Sequence, residues 1–475
     1  MTDASSSIAI VLAAGQGTRM KSALPKVLHP LLGRPMLSYP IQAALDAGAE
    51  KVVVVLGHGR AQVEAELAQR FDARVVTALQ PEQRGTGDAA RCGVQAVPDH
   101  AGSYLIFYGD APLLSARPLE RLLEVARRSQ SELALLTATV ENAHGYGRIL
   151  RDAQGRVVAI REQKDCSPEE AQIREFNPGV YAIHAPFFRS AVTQLSTNNA
   201  QGELLLTDLI AIAANQGSVA DLPWSAKELE GVNDRAELVA RERELRRALA
   251  LYHGRRGVTL RDPETTFIDA DVTIDEDVVI ESSVHLRGRT AIARGAHIDT
   301  GCVLRDVRVL EGARLQPYTV ATSSVIGERA QVGPFSHLRP ESELGSDVHI
   351  GNFVETKKTR LGPGSKANHL AYLGDGVIGA KVNVGAGTIF CNYDGFAKHV
   401  TVLEDGAFIG SDSQLVAPVT VGKDAYVATG TTVTLDVPSG DLAIGRARQE
   451  NKKGLGVRLR ERLKAKAEAA KAAKK

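Results

Sequence analysis

Two cations stand close behind a glycine-rich turn near the start of the chain. Ala14-Gly15-Gln16-Gly17-Thr18-Arg19-Met20 follows an apolar run over 8–13, and Pro25-Lys26 comes shortly after. Glycines let the backbone pass close to phosphate oxygens and aim its N–H groups at them, while Arg19 and Lys26 add full positive charge. A dinucleotide fingerprint would need a third glycine where Met20 stands, and a Walker loop would need Gly-Lys-Ser/Thr, so neither describes this segment. A turn that merely joins strand to helix accounts for Gly15 and Gly17 but not for the two spaced cations. Farther on, Tyr108-Gly109-Asp110 closes another apolar run, where a carboxylate can meet a metal. Cation-assisted phosphate chemistry suits these residue types. A second gathering of polar residues lies over 336–392 and includes His369. Imidazole is the side chain suited to proton transfer near neutral pH. His285, His297, His337, His349 and His399 lie in the same half of the chain, so spacing alone does not single out His369.

The elements that must position the first set are short apolar runs, 8–13, 51–56, 74–78 and 103–108, alternating with amphipathic stretches. That alternation predicts an α/β domain around a mostly parallel sheet, with its chemistry at the carboxyl ends of the strands. Over 237–256 the pattern becomes a charge-laced helix with no glycine until Gly254, read as a connecting helix.

A repeat of period six follows. Ile268, Ile274, Ile280, Leu286, Ile292, Ile298, Leu304 and Leu310 fall in register. Eight apolar residues at fixed spacing arise by chance roughly once or twice in a thousand trials at ordinary apolar content. The register resumes at Ile326, Val332, Leu338, Leu344 and Ile350, at Leu361, Leu373, Ile378 and Val384, and over Leu403, Ile409, Leu415, Val421, Val427 and Val433. A small or branched residue tends to sit four positions after each. An α-helix cannot hold a six-residue stripe on one face, whereas a solenoid that turns a corner every six residues points each one inward. With three hexapeptides per coil and about 4.8 Å between coils, the segment predicts roughly nine coils and a prism some 45 Å long. The expected organisation is 1–236 as the α/β domain, 237–256 as the linker helix, 257–446 as the β-helix, and 447–475 as a basic low-complexity tail, frayed or disordered.

At 475 residues the chain is longer than one core usually grows. Its net charge of +1 hides an asymmetry: residues 452–475 hold ten Lys/Arg against two Glu, so the rest sums to 1 − 8 = −7. Only the tail is basic, which argues against a nucleic-acid partner. Cys92, Cys166, Cys302 and Cys391 form no CxxC pair and suit free thiols in a reducing compartment. The opening MTDASSS lacks a basic leader and its apolar run is too short to span a membrane, so a cytoplasmic location is expected.

LxxGxGTRM followed by Pro25-Lys26 resembles the signature of sugar-nucleotide pyrophosphorylases. The order of later motifs is similar to one branch of them, the bifunctional bacterial UDP-N-acetylglucosamine pyrophosphorylase/glucosamine-1-phosphate N-acetyltransferase family. The resemblance implies an N-terminal Rossmann-like nucleotidyltransferase domain and a C-terminal left-handed parallel β-helix of hexapeptide repeats. It implies acetyl transfer from acetyl-CoA to glucosamine 1-phosphate, then uridyl transfer from UTP with Mg²⁺, giving UDP-N-acetylglucosamine for peptidoglycan and lipopolysaccharide precursors. It also implies a homotrimer built through the β-helix.

Carried over residue by residue, the resemblance places Leu12, Ala13, Ala14, Gly15, Lys26, Gln80, Gly85, Thr86, Tyr108, Gly109, Asp110, Gly147, Glu162, Asn177 and Asn233 around UDP-N-acetylglucosamine. Asp110 and Asn233 would bind the metal, and Arg19 and Lys26 would act on the phosphates. In the second half His369 is implied as the base for acetyl transfer, and Arg339, Lys357, Tyr372 and Asn383 as contacts to the amino-sugar phosphate. Ala386, Asn392, Tyr393, Ser411, Thr429 and Arg446 fall where acetyl-CoA binds. Three positions depart from the pattern: Pro178 stands where Thr is usual, Leu205 where an aromatic is common, and Thr429 where Ala is commoner. The alternatives are a single-function pyrophosphorylase whose β-helix only oligomerises, a scaffold without activity, and a dTTP-using enzyme, since base choice rests on a few contacts near Gln80 and Gly85.

Overall fold

The computed structural model describes residues 6–472; the first residues of the MTDASSS opening and the last three of the tail lie outside the described residues. The chain divides into two compact units. One comprises the residues up to Tyr252 together with Phe267–Asp271, the other His253–Thr266 and the residues from Val272 on.

In the first unit the strands Val75–Leu79, Lys51–Leu56, Ser7–Leu12 and Ser103–Tyr108 lie side by side, all parallel. Every residue of Ser7–Leu12 is buried, as is nearly all of Lys51–Leu56, which is why these strands read as continuous apolar runs rather than alternating ones. The pleat sends Ala9, Val11, Val52, Val54, Leu105 and Phe107 into one layer and Ile10, Leu12, Val53, Val55, Tyr104 and Ile106 into the other. Beyond Ser103–Tyr108 the sheet turns antiparallel through Tyr181–His184, which also pairs with Leu133–Thr139. Glu175–Asn177 and the hairpin of Gly147–Arg151 with Val157–Arg161 extend it. This half carries Gly147, Glu162 and Asn177 to one end of the sheet.

The second unit is a left-handed parallel β-helix with three sheets of eleven, ten and nine strands, and therefore nine complete coils with partial turns at its ends. Most strands pair with those 17 or 18 residues on, as in Ile280↔Ile298 and Leu315↔Val332, and the offset widens to 25 where the coil carries a loop, as in Asn383↔Phe408. The six-residue positions are buried as the repeat requires, with one exception. Leu310 is only partly buried, and Val309 occupies the inward place in strand Arg308–Val309. The corner after Leu304 is one residue shorter, which makes that coil 17 residues and moves the phase. The same shortening recurs between Thr356 and Leu361, and Thr356 itself points inward, its hydroxyl paired with Ser342 at 2.7 Å. A period search that admits only apolar residues loses the register there.

The small residue four places after each inward position has a physical role. Thr290, Thr319, Ser342, Thr388 and Ser413 are buried, and each hydroxyl donates to the carbonyl three residues earlier at 2.6–2.8 Å. The side chain thus closes the corner and satisfies a carbonyl that the turn would otherwise strand. The helix preceding this unit spans Arg235–Arg255, and the tail contains a helix over Leu455–Ala472 whose residues are all exposed. The four cysteines are free thiols. Among the described residues no helix is long and apolar enough to cross a membrane.

Candidate active sites

At the carboxyl ends of Ser7–Leu12 and Ser103–Tyr108 lies a pocket of about 260 Å³. Leu12, Ala13, Ala14, Gly15, Lys26, Gln80, Gly85, Thr86, Tyr108 and Asp110 all line it, together with Val27, Gln83, Ala89 and Glu203. Gly17 adopts a positive φ of 62°, and a Cβ there would strike the Lys26 side chain at 2.4 Å, so only glycine lets the loop fold over that lysine. Gly109 is likewise hemmed in, its virtual Cβ 2.6 Å from Leu37. The Gln80 amide N–H₂ donates to the Gly85 carbonyl at 3.1 Å and to buried Asp88 at 3.0 Å, which fixes the amide's orientation at the pocket wall.

Lys26 Nζ meets Asp110 Oδ2 at 2.6 Å, and Arg19 Nη2 donates to Asn233 Oδ1 at 2.8 Å. The two oxygen bearers belong together because the Val232 N–H donates to the Asp110 carbonyl at 2.8 Å, which brings the segment of Asn233 against the strand end. Gly231 also leaves the Asp110 carboxylate room, since a Cβ there would stand 3.1 Å from Oδ1. One carboxylate and one amide oxygen, both hard donors, fit a small divalent cation that takes its other ligands from phosphate and water. Each is held here by a cationic side chain. Among the described residues no group of three or more His, Cys, Asp or Glu side chains is arranged to hold a metal.

The antiparallel half supplies the rest. Glu162 accepts the Thr207 hydroxyl at 3.0 Å, and burial pushes its carboxyl above the usual range, with that hydrogen bond opposing. Gly147 lies against this side chain, where a Cβ would stand 3.6 Å from Glu162 Oε1. Asn177 donates to the Tyr181 hydroxyl at 2.7 Å and accepts the Gly179 N–H at 3.0 Å. That second bond reaches past Pro178, whose missing N–H costs nothing in this turn. Tyr108 packs so closely on Gly179 that a Cβ would stand 2.0 Å from its Cε2, and burial, with Glu162 and Asp110 nearby, raises its hydroxyl far above the usual range. Leu205 is buried beside the Gly85-Thr86 turn, where Leu206 N–H donates to Thr86 Oγ1 at 3.0 Å.

In the β-helix, the residues of interest gather around one corner. His369 is exposed at the end of strand Lys366–His369, opposite Asn352 in the neighbouring coil. Asn383 lies one coil further on the same sheet, paired with Lys366. Past the corner, on the adjoining sheet, Tyr372 pairs with Glu355, and Lys357 with Gly374. Arg339 binds Glu355 at 2.7 Å. Lys398 approaches Lys357 and, with Arg339, holds that lysine below its ordinary range by repulsion between like charges. A concentration of three cations is a place for a phosphate.

The same corner continues coil by coil: Gly387 N–H to the His369 carbonyl at 3.4 Å, Asp412 N–H to Ala386 at 2.7 Å, Gly430 N–H to Ser411 at 2.9 Å, and the Arg446 guanidinium to the Thr429 carbonyl. His369, Ala386, Ser411, Thr429 and Arg446 thus form one edge of the prism. Asn392 donates to Asp375 at 2.5 Å, and a Cβ on Gly374 would meet both the Tyr372 hydroxyl and the Asn392 amide within 2.7 Å. Tyr393 is exposed and donates to the Gly395 carbonyl at 2.6 Å.

Sequence reading missed Gln83 and Asp88 in the first site and Glu355, Asp375 and Lys398 in the second. Glu355 could have been found: it lies two residues before Lys357 and so shares its face of the strand. Lys398 sits where thirteen residues separate the inward Phe390 and Leu403 instead of six, a loop that the period itself marks.

Fold and site together define a nucleotidyltransferase carried on one chain with a hexapeptide β-helix. Residues 9–258 match the MobA-like NTP transferase domain, and residues 265–367 match the GMPPB C-terminal domain. The bifunctional protein GlmU of Sorangium cellulosum is 58% identical over 461 residues, covering 96% of this chain and 97% of that protein. The proteins of the same name from Pelobacter propionicus and Acinetobacter baylyi are 48% and 45% identical, over 96% and 93% of this chain and 99% and 96% of theirs. The chain belongs to the bifunctional GlmU protein family.

Proposed function

We propose that this chain makes UDP-N-acetylglucosamine in two steps at two sites. Acetyl-CoA acetylates glucosamine 1-phosphate on the β-helix, and the N-acetylated product is then uridylylated by UTP in the α/β domain with release of pyrophosphate. The supporting observation is that the residues carried over for each step gather within one unit, the first set mostly around one pocket and the second around one corner of the β-helix.

In the α/β domain, a phosphate oxygen of the sugar attacks the α-phosphorus of UTP. That oxygen is already a nucleophile, so alignment and charge neutralisation carry the step rather than a general base. The loop N–H groups around Gly15 and the side chains of Lys26 and Arg19 face the phosphates, and Gln80 with Gly85 and Thr86 holds the base. Gly147, Glu162 and Asn177 hold the sugar. Asp110 and Asn233 would hold Mg²⁺, which supplies charge neutralisation of the phosphates when bound.

In the β-helix, Arg339, Lys357 and Lys398 hold the sugar phosphate while Tyr372 and Asn383 orient it. His369 takes the proton from its amine as nitrogen attacks the thioester. The edge formed by Ala386, Ser411, Thr429 and Arg446, with Asn392 and Tyr393 beside it, takes the coenzyme. The assignment of steps to domains follows the division 1–236, 237–256, 257–446 and 447–475. The protein acts as a homotrimer in the cytoplasm, a reading that rests on family membership and on the free thiols.

A coupled assay with glucosamine 1-phosphate, acetyl-CoA, UTP and Mg²⁺ tests this, with free thiol and pyrophosphate followed separately. Release of both, with pyrophosphate dependent on acetyl-CoA, is the expected result. Pyrophosphate only when N-acetylglucosamine 1-phosphate is supplied would reduce the β-helix to a scaffold.

A further inference from the structure

The helix Arg235–Arg255 begins inside the first site rather than beside it. Asp234 Oδ1 accepts the N–H groups of Ala236 at 2.8 Å and Glu237 at 2.9 Å, and so caps the first turn. Glu237 reaches back, its Oε2 accepting the Asn233 N–H at 2.7 Å. This is the reciprocal arrangement of a capping box, shifted so that the returning carboxylate grips the residue just before the cap. That residue is Asn233, whose own amide oxygen takes Arg19. Arg235, the next residue after the cap, donates from Nε to the Met20 carbonyl at 3.0 Å. The first turn is therefore tied to the phosphate loop at two points, and one carboxylate fixes the backbone of the residue between Val232 and the cap.

We propose that Glu237 is a positioning residue for uridyl transfer: its carboxylate holds the Asn233 backbone and thereby sets where the Asn233 amide oxygen stands for the metal and for Arg19. The proposal rests on the uridyl-transfer reading of this site. Without the carboxylate, the Asn233 backbone keeps only the Val232 bond to Asp110 beside it, and the amide holds its place relative to Asp110 less firmly. Gln at this position presents an equivalent acceptor oxygen, so it should preserve the arrangement.

The test compares wild type, Glu237→Ala and Glu237→Gln as full-length proteins. Mn²⁺ binding is read by electron paramagnetic resonance with UTP present and sugar phosphate absent, and steady-state uridyl transfer is read against Mg²⁺. Loss of a hydrogen bond to a charged group corresponds to about a tenfold effect. Glu237→Ala is expected to bind Mn²⁺ about tenfold more weakly and to need correspondingly more Mg²⁺ for half-maximal rate, with kcat at saturating Mg²⁺ changed far less. Glu237→Gln should return both to near wild type; equal acetyl transfer by all three proteins certifies the β-helix, and equal near-ultraviolet circular dichroism with retained kcat at saturating Mg²⁺ certifies the fold of the α/β unit. Equal Mn²⁺ affinity in wild type and Glu237→Ala would overturn the positioning role, as would a Gln variant as poor as Ala. A wild-type protein that transfers acetyl but turns over no UTP would instead remove the uridyl reading on which the proposal stands.

Discussion

Replacing Asp110 by Ala removes the carboxylate that meets Lys26 in the nucleotide pocket, and the structure sets the size of two separate effects. The Lys26 and Asp110 side chains are 14% and 25% exposed and meet at 2.6 Å. Such a pair is largely shielded from water, and losing one charge-assisted hydrogen bond of this kind costs about 1.5–3 kcal/mol. For a unit of this size that corresponds to a fall of about 3–12 °C in the first melting transition. The catalytic effect is expected to be larger, because in the proposed reading the same carboxylate would be the anionic ligand for the cation that neutralises the triphosphate. Loss of one transition-state electrostatic group costs on the order of 10²–10³ in kcat, and Lys26 left without its anion adds to this, so uridyl transfer should fall at least about 10³-fold. Pyrophosphate release from UTP and N-acetylglucosamine 1-phosphate reads the catalytic effect, free-thiol release from acetyl-CoA controls for folding of the β-helix, and differential scanning calorimetry reads the loss of stability. Uridyl transfer within tenfold of wild type would refute the placement of Asp110 at the metal, and equal loss of both activities in a folded protein would refute two separate sites.

The complementary change, His369→Ala, should lower acetyl transfer by about 10²–10⁴-fold, the range for a lost general base, and leave uridyl transfer intact; a normal thiol-release rate would remove His369 from the chemistry. A chelator should stop pyrophosphate release and spare thiol release, with Mg²⁺ restoring the former; loss of acetyl transfer as well would place a metal in the β-helix. Burial raises the Glu162 carboxyl, so as pH falls it becomes protonated earlier than an exposed glutamate and would lose the negative charge that strengthens the hydrogen bonds proposed from the sugar. The KM for N-acetylglucosamine 1-phosphate should therefore rise on the acid side at a pH above the ordinary carboxylate range. Glu162→Gln should have a raised KM that no longer varies there, and an unchanged acid limb in that variant would assign the titration elsewhere.

Local rules made much of this molecule legible before any coordinates. A buried parallel strand has no solvent face, so 8–13, 51–56 and 103–108 betray themselves as apolar runs, and phosphate binding by backbone leaves glycines and flanking cations in the sequence at Gly15, Gly17, Arg19 and Lys26. The β-helix is legible because each coil repeats one steric problem: an inward side chain, a corner, and a hydroxyl that closes it. The register breaks where that problem has a different solution, as at Leu310, where a shortened corner hands the inward place to Val309, at Thr356, where Ser342 satisfies a polar residue facing inward, and between Phe390 and Leu403, where a loop is inserted. Pro178 departs from the family pattern, and the Asn177 side chain accepts the Gly179 N–H across it.

By itself, the sequence determined the four parallel strands of the first sheet, the coils, the residue types at each site and the family, because periodicity and short motifs are properties of neighbours along the chain; the antiparallel half of the sheet was not read from it. Tertiary structure alone decided which distant groups meet. That Lys26 pairs with Asp110, 84 residues away, and Arg19 with Asn233, 214 residues away, depends on how the sheet ends converge. The joining of Arg339 to Glu355, the crowding of Lys357 by Lys398, and the alignment of His369 with Arg446 along one edge depend on the stacking of coils. Pairwise electrostatics act through space over a few ångströms, and the chain's own spacing carries no record of which side chains folding will bring within that distance.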